Sequence, residues 1–380
     1  RDRAYRNVRL KSLKLLYDSC VQLNITDIGL LEMEQVKTIL KNFPETSQRS
    51  ILGECRRDAF MQQEQIQWEA NVWYLERLHL GKHRIDESKS LISISFMEVK
   101  EIQNREILQA YMKYELGITG QAVSTIVRRF VCIRNFIELL EQEKILAIHA
   151  TVAEVKKYAD GLRERGIQAK GFNERIFGIG HFYKFMEVKQ YITRMPFRIE
   201  YFQQKEVIVH HDRSVEETVY MEILKKLYLF PERLRCMFLH LWCLGLRASE
   251  VCTLKGNAYY QQGEDYWIQV YQVKMKNYKR IPIPQALYQI MKVYLKKHEI
   301  QPEEFIFKNS RGGACLYGTF RTQMIEACRE NKIANGEYLF QSHDYRHTVA
   351  TMFYDSHVSL QSIRDYLGHT YEAVSYTHLT

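Results

Sequence analysis

The chain has 380 residues, of which 46% are hydrophobic and 26% charged, and its formal net charge is +9. This composition excludes a disordered chain, and the length exceeds what one ordinary core holds, so we predict two or three folded domains. No apolar run reaches membrane-spanning length and no signal peptide opens the chain, so we expect no membrane partner. The basic balance instead favours a polyanion such as nucleic acid.

The eight cysteines lack the paired CxxC spacing of a metal site, and several of them lie inside apolar runs. Such cysteines are typical of buried, reduced thiols in a cytosolic protein. We therefore predict no disulfide framework, no metal, no cofactor and a cytoplasmic location.

Residues 1–94 form the first region that we distinguish. Short helical patterns, for example at residues 30–43 and 62–79, alternate there with polar breaks. Trp68 and Trp73 are the expected anchors of a small core. Nothing in this region points to chemistry, so we interpret it as an accessory region.

Residues 95–197 show clear helical periodicity and form the second predicted domain. Apolar residues recur at steps of three and four, first through Val123–Leu140 and again through Ile176–Met186. Several cations lie beside these apolar positions; they are Arg128, Arg129, Arg134, Lys170 and Arg175. They are either a solvated helix face or contacts to the backbone of a DNA duplex. Residues 198–214 have little periodicity, and we predict that they form a linker.

Residues 215–380 combine helical patterns with short alternating segments. Tyr266, Ile268 and Val270 alternate as in a half-buried strand, and residues 281–284 close what we predict to be a small sheet. Helical patterns occupy residues 219–230, 233–246, 286–297, 319–331 and 345–354. The predicted fold class is therefore mostly α with a small antiparallel β-sheet (α+β).

Arg247 ends an apolar helical pattern in the run Gly-Leu-Arg-Ala-Ser-Glu at residues 245–250. A lone guanidinium is costly to bury there unless it is paired. Arg247 is either the partner of Glu250 in a structural salt bridge or a phosphate ligand, because its planar fork matches two phosphate oxygens.

His343 and Arg346 are three residues apart, so both face one side of a helical turn. The polar run at residues 341–344 is typical of a helix start, where backbone dipoles favour an anion. His369 follows Gly368 at a predicted helix end. Each residue by itself is compatible with a surface helix terminus or cap, whereas all of them together indicate a phosphate site.

A cationic turn joins the two predicted strand segments, and its cations are Lys274, Lys276, Lys279 and Arg280. The turn is either an ordinary solvated hairpin tip or a source of functional cations. Lys274 is the candidate for donating a proton to a leaving alkoxide. We expect the other three cations to contact DNA phosphates.

In these runs the carboxyl-terminal region resembles the tyrosine recombinase family, the phage-type integrases. Residues 245–250 match the family's first arginine box, residues 343–351 its His-x-x-Arg box and residues 367–369 its Leu-Gly-His box. The strand–turn lysine of the family falls on Lys274. The resemblance implies that residues 95–197 are a helical core-binding domain that clamps DNA and that residues 215–380 are the catalytic domain.

The resemblance also implies a chemistry, namely metal-independent phosphoryl transfer to a tyrosine. Arg247 and Arg346 would hold the non-bridging phosphate oxygens, and His369 would donate a hydrogen bond to the phosphate. His343 would help to take the tyrosine proton, and Lys274 would protonate the leaving 5′ oxygen. The 3′-phosphotyrosyl link that results conserves bond energy, so the strand can be rejoined to a new partner.

The nucleophile departs from the family pattern. The family usually places its tyrosine where this chain has His378, and Tyr371 is too close to the Leu-Gly-His box. Tyr376 is therefore our candidate nucleophile. Residues 374–379 also match what a common library adapter encodes, so we expect the catalytic domain to be truncated near Ala373 and capped by foreign sequence.

We predict from these features a site-specific recombinase of a mobile element, in a bacterial context. It would bind double-stranded DNA recombination sites and act as a homotetramer during exchange. Two alternatives stay open: a type IB topoisomerase, which uses the same chemistry to relax supercoils, and a DNA-binding remnant that has lost its nucleophile. The sequence leaves open the target site, the choice between integration and excision, and the role of residues 1–94.

Overall fold

The computed structural model describes residues 3–43, 46–207 and 213–368, and the chain divides into two compact units. Unit 1 comprises Arg1–Arg84 and Leu91–Val207, and unit 2 comprises Ile85–Ser90 and Ile208–Thr380. The change of unit after residue 207 lies within the range that we predicted as a linker. The boundary at residue 94 stays a prediction, because residues on both sides of it belong to unit 1.

The described part of unit 1 is largely helical. Its α-helices are α1 (Arg3–Gln22), α2 (Met33–Lys41), α3 (Thr46–Gln62), α4 (Ile102–Ile118), α5 (Val123–Gln142), α6 (Val152–Glu164) and α7 (Ala169–Val188). The two amphipathic helices predicted from periodicity are α5 and α7, and their apolar faces bury Ile133, Phe136 and Phe182 completely. Burial of such a stripe, rather than helix propensity, supplies most of the stability of helices in a folded protein.

Residues 72–74 form a strand inside the range 62–79, so the helical pattern that we predicted there is wrong. Val72–Tyr74 (β1) pairs antiparallel with Ser93–Ser95 (β2). Valine and aromatic side chains suit a pleated surface, and all three residues of β1 are buried. Trp73 is fully buried, and its ring meets Trp68 edge-on with 4.9 Å between ring centroids, so the two tryptophans do anchor a core in this region.

The described part of unit 2 is helical around one small sheet. Its α-helices are α8 (Glu217–Lys226), α9 (Glu232–Leu244), α10 (Ala248–Cys252), α11 (Gln285–Lys297), α12 (Tyr317–Glu330), α13 (Ser342–Asp355) and α14 (Leu360–Leu367). Phe238, Phe307 and Tyr345 lie at the centre of its core with no solvent exposure. The predicted fold class, mostly α with a small antiparallel sheet, is confirmed, and the β1–β2 pair in unit 1 adds a second sheet that we did not predict.

The sheet of unit 2 is an antiparallel meander of β3 (Tyr259–Gln262), β4 (Asp265–Gln272) and β5 (Asn277–Pro282). Ile268 lies opposite Ile281, and Val270 lies opposite Lys279. Because side chains alternate between the two faces of a strand, Lys279 shares the core-facing side with Ile281. Gln272, two residues beyond Val270, lies on the same face and is buried.

Among the described residues, no helix is long and apolar enough to cross a membrane. All eight cysteines belong to the described ranges, and none of them forms a disulfide.

Candidate active site

The first arginine box lies at the junction of α9 and α10. Helix α9 ends at Leu244, and Gly245 follows in the left-handed conformation with φ +58°. A β-carbon on Gly245 would meet Val349 at 3.2 Å and Leu367 at 3.1 Å, so glycine also permits close packing of α13 and α14 against this turn. The turn delivers Arg247 to the first position before α10.

Glu250 holds Arg247 through two groups and is itself held by Gln272. The backbone N–H of Arg247 donates to Oε2 of Glu250 at 2.9 Å, and its Nη1 donates to Oε1 at 2.8 Å. The amide of Gln272 also donates to Oε1 of Glu250, at 3.2 Å. The salt bridge to Glu250, one of our two interpretations of Arg247, is therefore present. The Nη2 of Arg247 faces the carbonyl of Gly368 at 3.5 Å. A fixed guanidinium with donors to spare still suits a phosphate.

Glu250 is almost fully buried, and burial by itself would raise the pKa of its carboxyl group. The positive charges of Lys279, Arg247 and Arg346 outweigh burial and lower that pKa below its usual range. Glu250 is therefore ionised at neutral pH. Three cations around one carboxylate leave the site with an excess of positive charge that an anion could neutralise.

Arg346 lies on α13 and is only 1% exposed. Its Nη1 donates to the carbonyl of Gly245 at 2.8 Å, and its Nη2 donates to the carbonyl of Leu367. One side chain thereby connects the first arginine box with the Leu-Gly-His box. Its Nε has no hydrogen-bond partner among the described residues, and burial, followed by the charge of Arg247, lowers the pKa of Arg346 to about 9.

His343 lies in the first turn of α13 and keeps an exposed surface. The ring of His347 stands perpendicular to it one turn later, with 4.9 Å between ring centroids. The protein packed around His343, followed by the charges of His347, Arg346, Arg247 and Arg213, lowers its pKa to about 4. The imidazole is therefore neutral at pH 7 and able to accept a proton.

The carboxyl end of α14 gathers the three cations of the site. Lys279 Nζ donates to the carbonyl of Tyr366 at 3.2 Å, while Arg346 and Arg247 face the next two carbonyls, those of Leu367 and Gly368. The last carbonyls of a helix lack partners inside the helix and carry partial negative charge, so cations bind there. Gly368 has φ +68°, and a β-carbon on it would lie 2.4 Å from the Gln272 amide.

His369, Tyr371 and Tyr376 lie outside the described residues. The structure brings Arg247, His343 and Arg346 together. The described range ends at Gly368, the residue before His369.

The two lysines of the hairpin differ in position. Lys274 lies exposed in the turn between β4 and β5, whereas Lys279 reaches the site from the core-facing side of β5. Burial lowers the pKa of Lys279 to about 8, although Glu250 raises it. We had grouped Lys279 with the DNA-contacting cations. Lys279 and Ile281 are two residues apart and therefore share one face of β5, and this alternation was the signal that could have placed Lys279 on the core-facing side.

Most of the other cations that we expected to contact DNA are exposed. Lys170, Lys276 and Arg280 have exposed side chains, and Arg128 is exposed with Glu174 at 3.5 Å. Arg129 and Arg134 instead form ion pairs within unit 1, Arg129 with Glu115 at 3.0 Å and Arg134 with Glu98 and Glu138. Arg175 is half-buried, and its Nη1 donates to the carbonyl of Gly171 at 2.6 Å. Their roles in DNA binding stay predictions.

Among the described residues, no group of three or more His, Cys, Asp or Glu side chains is arranged to hold a metal ion. The sequence analysis did not predict that Gln272 donates to Glu250. The only signal for Gln272 was its position on the core-facing side of β4.

A helical fold with a small antiparallel sheet, in which arginines from two separate runs meet beside a histidine and a lysine, defines the class of tyrosine recombinases. Residues 213–380 match the model of the Phage integrase family. The carboxyl-terminal unit of this chain belongs to that family.

Two relatives with curated names match most of the chain. Transposase B from transposon Tn554 of Staphylococcus aureus (strain Mu50 / ATCC 700699) is 24% identical over 313 residues, which cover 80% of this chain and 49% of the transposase. Tyrosine recombinase XerC of Bacillus licheniformis is 23% identical over 298 residues, which cover 73% of this chain and 90% of XerC. The chain thus spans about half the length of the Tn554 transposase.

Two solved structures share the fold. A lambda integrase dimer bound to a COC' core site superposes with a TM-score of 0.54 at 17% identity and covers 72% of this chain and 94% of its own. The Tn1549 transposon integrase in complex with circular intermediate DNA has a TM-score of 0.51 at 15% identity, with 72% and 95% covered.

Proposed function

We propose that this chain is a site-specific DNA recombinase of a mobile element that cleaves and rejoins strands through a 3′-phosphotyrosine without a metal. One observation carries the proposal: Arg247 and Arg346, from separate runs, bind the end of the same helix, with His343 on the same site. Family membership of the carboxyl-terminal unit and the transposon origin of one relative support it.

In the proposed cleavage step, Arg247 and Arg346 stabilise the charge that develops on the non-bridging oxygens. Arg346 uses one N–H on each of two carbonyls, so three of its five N–H donors remain for a phosphate. Arg247 is oriented by Glu250, and its Nη2 faces the carbonyl of Gly368. Such preorganised donors contribute most where water is excluded.

His343 takes the proton of the attacking tyrosine in this mechanism. Its lowered pKa makes it neutral before DNA binds, and the negative charge of the phosphodiester, which grows as the phosphorane forms, raises that pKa and favours proton transfer. The tyrosine oxygen then forms the bond to phosphorus while the bond to the 5′ oxygen breaks. Tyr376 stays our candidate for the nucleophile, and His369 for the further phosphate contact.

The leaving 5′ oxygen needs a proton from an amine, and two lysines are candidates. We predicted Lys274, which lies on the exposed turn, but Lys279 already lies at the site. A substrate with a bridging 5′ sulfur separates them, because a thiolate leaves without protonation. The lysine that acts as the acid is the one whose replacement by methionine slows cleavage of the ordinary substrate and leaves that of the sulfur substrate unchanged.

The partner that we propose is double-stranded DNA at recombination sites, bound by a homotetramer during exchange in the cytoplasm. The two solved relatives are bound to DNA, and the basic charge of this chain supports the same kind of partner.

A nicked suicide substrate tests the proposal, because loss of a short fragment after cleavage traps the covalent adduct. We expect a protein–DNA adduct that forms in EDTA and is lost in Tyr376→Phe and Arg346→Ala. A strict Mg²⁺ requirement would exclude the mechanism. DNA binding without an adduct indicates the cleavage-dead remnant, and relaxation of supercoils by a monomer without pairing of sites indicates the topoisomerase.

A further inference from the structure

Helix α1 of unit 1 exposes several large apolar side chains. It buries one narrow face, which includes Ser12, Leu16 and Ser19 and packs on α3. On the side turned away from that face, four large apolar side chains are exposed: Leu10 (63%), Leu13 (41%), Tyr17 (69%) and Val21 (57%). A single exposed apolar side chain needs no explanation, but a contiguous row on one helix does.

The spacing of this row is that of a helix–helix contact. Leu10, Leu13, Tyr17 and Val21 follow each other at steps of three, four and four residues, so they form one stripe along about three turns of α1. We call these four residues the α1 stripe. Such a stripe packs against another helix by inserting each side chain between those of its partner.

The charges beside the α1 stripe indicate which helix that partner is. Lys14 and Asp18 lie on one flank of the stripe, one turn apart, and both are exposed. When two copies of α1 pack antiparallel, Leu10 lies opposite Val21 of the second copy and Leu13 lies opposite its Tyr17. The same register places Lys14 opposite Asp18, and by symmetry Asp18 opposite Lys14. In a parallel pair the flank that bears Lys14 and Asp18 would instead face the other flank of the second helix, so these two charges would not pair with each other.

We propose that the α1 stripe is an interface between two copies of this chain, which pair through an antiparallel contact of their α1 helices. The contact is isologous, so one patch serves both copies. Four side chains from each copy bury less area than a standard stable interface requires, so the dimer is weak and depends on concentration.

This self-association is independent of the proposed recombinase function. Its consequence rests on that function: two copies on neighbouring DNA sites have a high effective concentration, so a weak contact suffices to join them. Because the association is measured without DNA, failure of one proposal leaves the other open to its own test.

Analytical ultracentrifugation of the full 380-residue chain without DNA, at low salt and over roughly 1–100 µM, tests the interface. We expect a monomer–dimer equilibrium that Tyr17→Glu weakens at least about tenfold, because it buries a carboxylate in the seam. The matched control is Val8→Glu on the opposite side of the same helix, where Val8 is also exposed, and we expect no change. Far-UV circular dichroism verifies that both variants keep α1 helical.

Charge reversal tests the antiparallel register. Asp18→Lys and Lys14→Glu are each expected to weaken the dimer several-fold, because each places like charges together. The chain that carries both changes restores opposite charges, and we expect its association to return to within about threefold of the original. A chain that stays monomeric at every concentration overturns the proposal. So does a dimer that Tyr17→Glu leaves intact, or a double variant that is weaker than both single ones.

Discussion

Arg129 and Arg134 of unit 1 have electrostatic surroundings opposite to those of Arg346 in unit 2. In unit 1, Arg129 and Arg134 face carboxylates, Glu115 for the first and Glu98 with Glu138 for the second. In unit 2, Arg346 faces two backbone carbonyls and has no carboxylate partner among the described residues. An arginine paired with a carboxylate holds helices together, whereas an arginine held by backbone dipoles keeps its charge for a ligand. The distinction separates Arg346 from Arg129 and Arg134, while Arg247 combines both features because Glu250 orients it and its Nη2 faces the carbonyl of Gly368.

The largest effect is expected at Arg346, where the comparison is sharpest. Arg346→Lys replaces a fork that binds two carbonyls by a single ammonium. We expect the rate of adduct formation on a nicked substrate to fall by at least about 10³-fold, because transition-state charge loses its fixed donors. Equilibrium unfolding in urea should show a loss of about 2 kcal/mol. The control is Arg329→Lys, because Arg329 is an exposed arginine on α12. Cleavage at the wild-type rate by the Arg346 variant would contradict the assignment of Arg346 to the active site.

The next effect is expected at His343. His343→Asn removes the proton acceptor, and we expect adduct formation to slow by about 100-fold. The folded-state pKa near 4 lies below the ordinary 6.5, so the unfolded chain binds more protons between these values. The free energy of unfolding of the wild type therefore falls as pH drops from about 6.5 to about 4. The variant should lose less free energy of unfolding over that pH interval. Equal slopes of the free energy of unfolding against pH in the two proteins would show that the protein does not lower the pKa of the His343 ring.

Two neighbouring arginines of α5 test the other side of the comparison. Arg129→Met leaves the buried Glu115 without its partner, and we expect a loss of about 3 kcal/mol in the free energy of unfolding. Arg128→Met removes an exposed cation, and stability should change by less than about 0.5 kcal/mol. If Arg128 contacts a phosphate, the slope of log affinity against log salt falls by about one. A stability loss in Arg128→Met together with a reduced salt slope in Arg129→Met would contradict the distinction between structural and binding arginines.

An effect smaller than that of Arg129→Met is expected at Lys279, whose pKa of about 8 lies below the ordinary 10.5. Between these values the unfolded chain binds the extra proton, so the free energy of unfolding rises with pH there. Lys279→Met should flatten this rise by about 2 kcal/mol at most. The measurement is the difference between wild type and variant in urea unfolding at pH 8 and pH 10, because other groups titrate equally in both. An unchanged slope would place Lys279 in solvent.

Periodicity predicted the helices well and the small strands less well. Helices α5 and α7 follow directly from apolar steps of three and four, whereas the strand at residues 72–74 is too short for its pattern to be distinguished from a helical one. Its pairing with residues 93–95 is a contact across the chain, and no local pattern specifies it. The motifs predicted which runs meet at the candidate site, but not the direction in which Lys274 and Lys279 point.

The sequence by itself determined the chemistry that is available: two arginine-bearing runs, a histidine one turn before an arginine, a basic balance, and helical periodicity on both sides of the predicted linker. These are local properties, and spacing along the chain is enough to define them. Only the tertiary structure decided which charges are neutralised. Glu250 orients Arg247, carbonyls at the end of α14 bind Arg346, and β5 brings Lys279 inward, because contacts between distant residues form only when the core assembles.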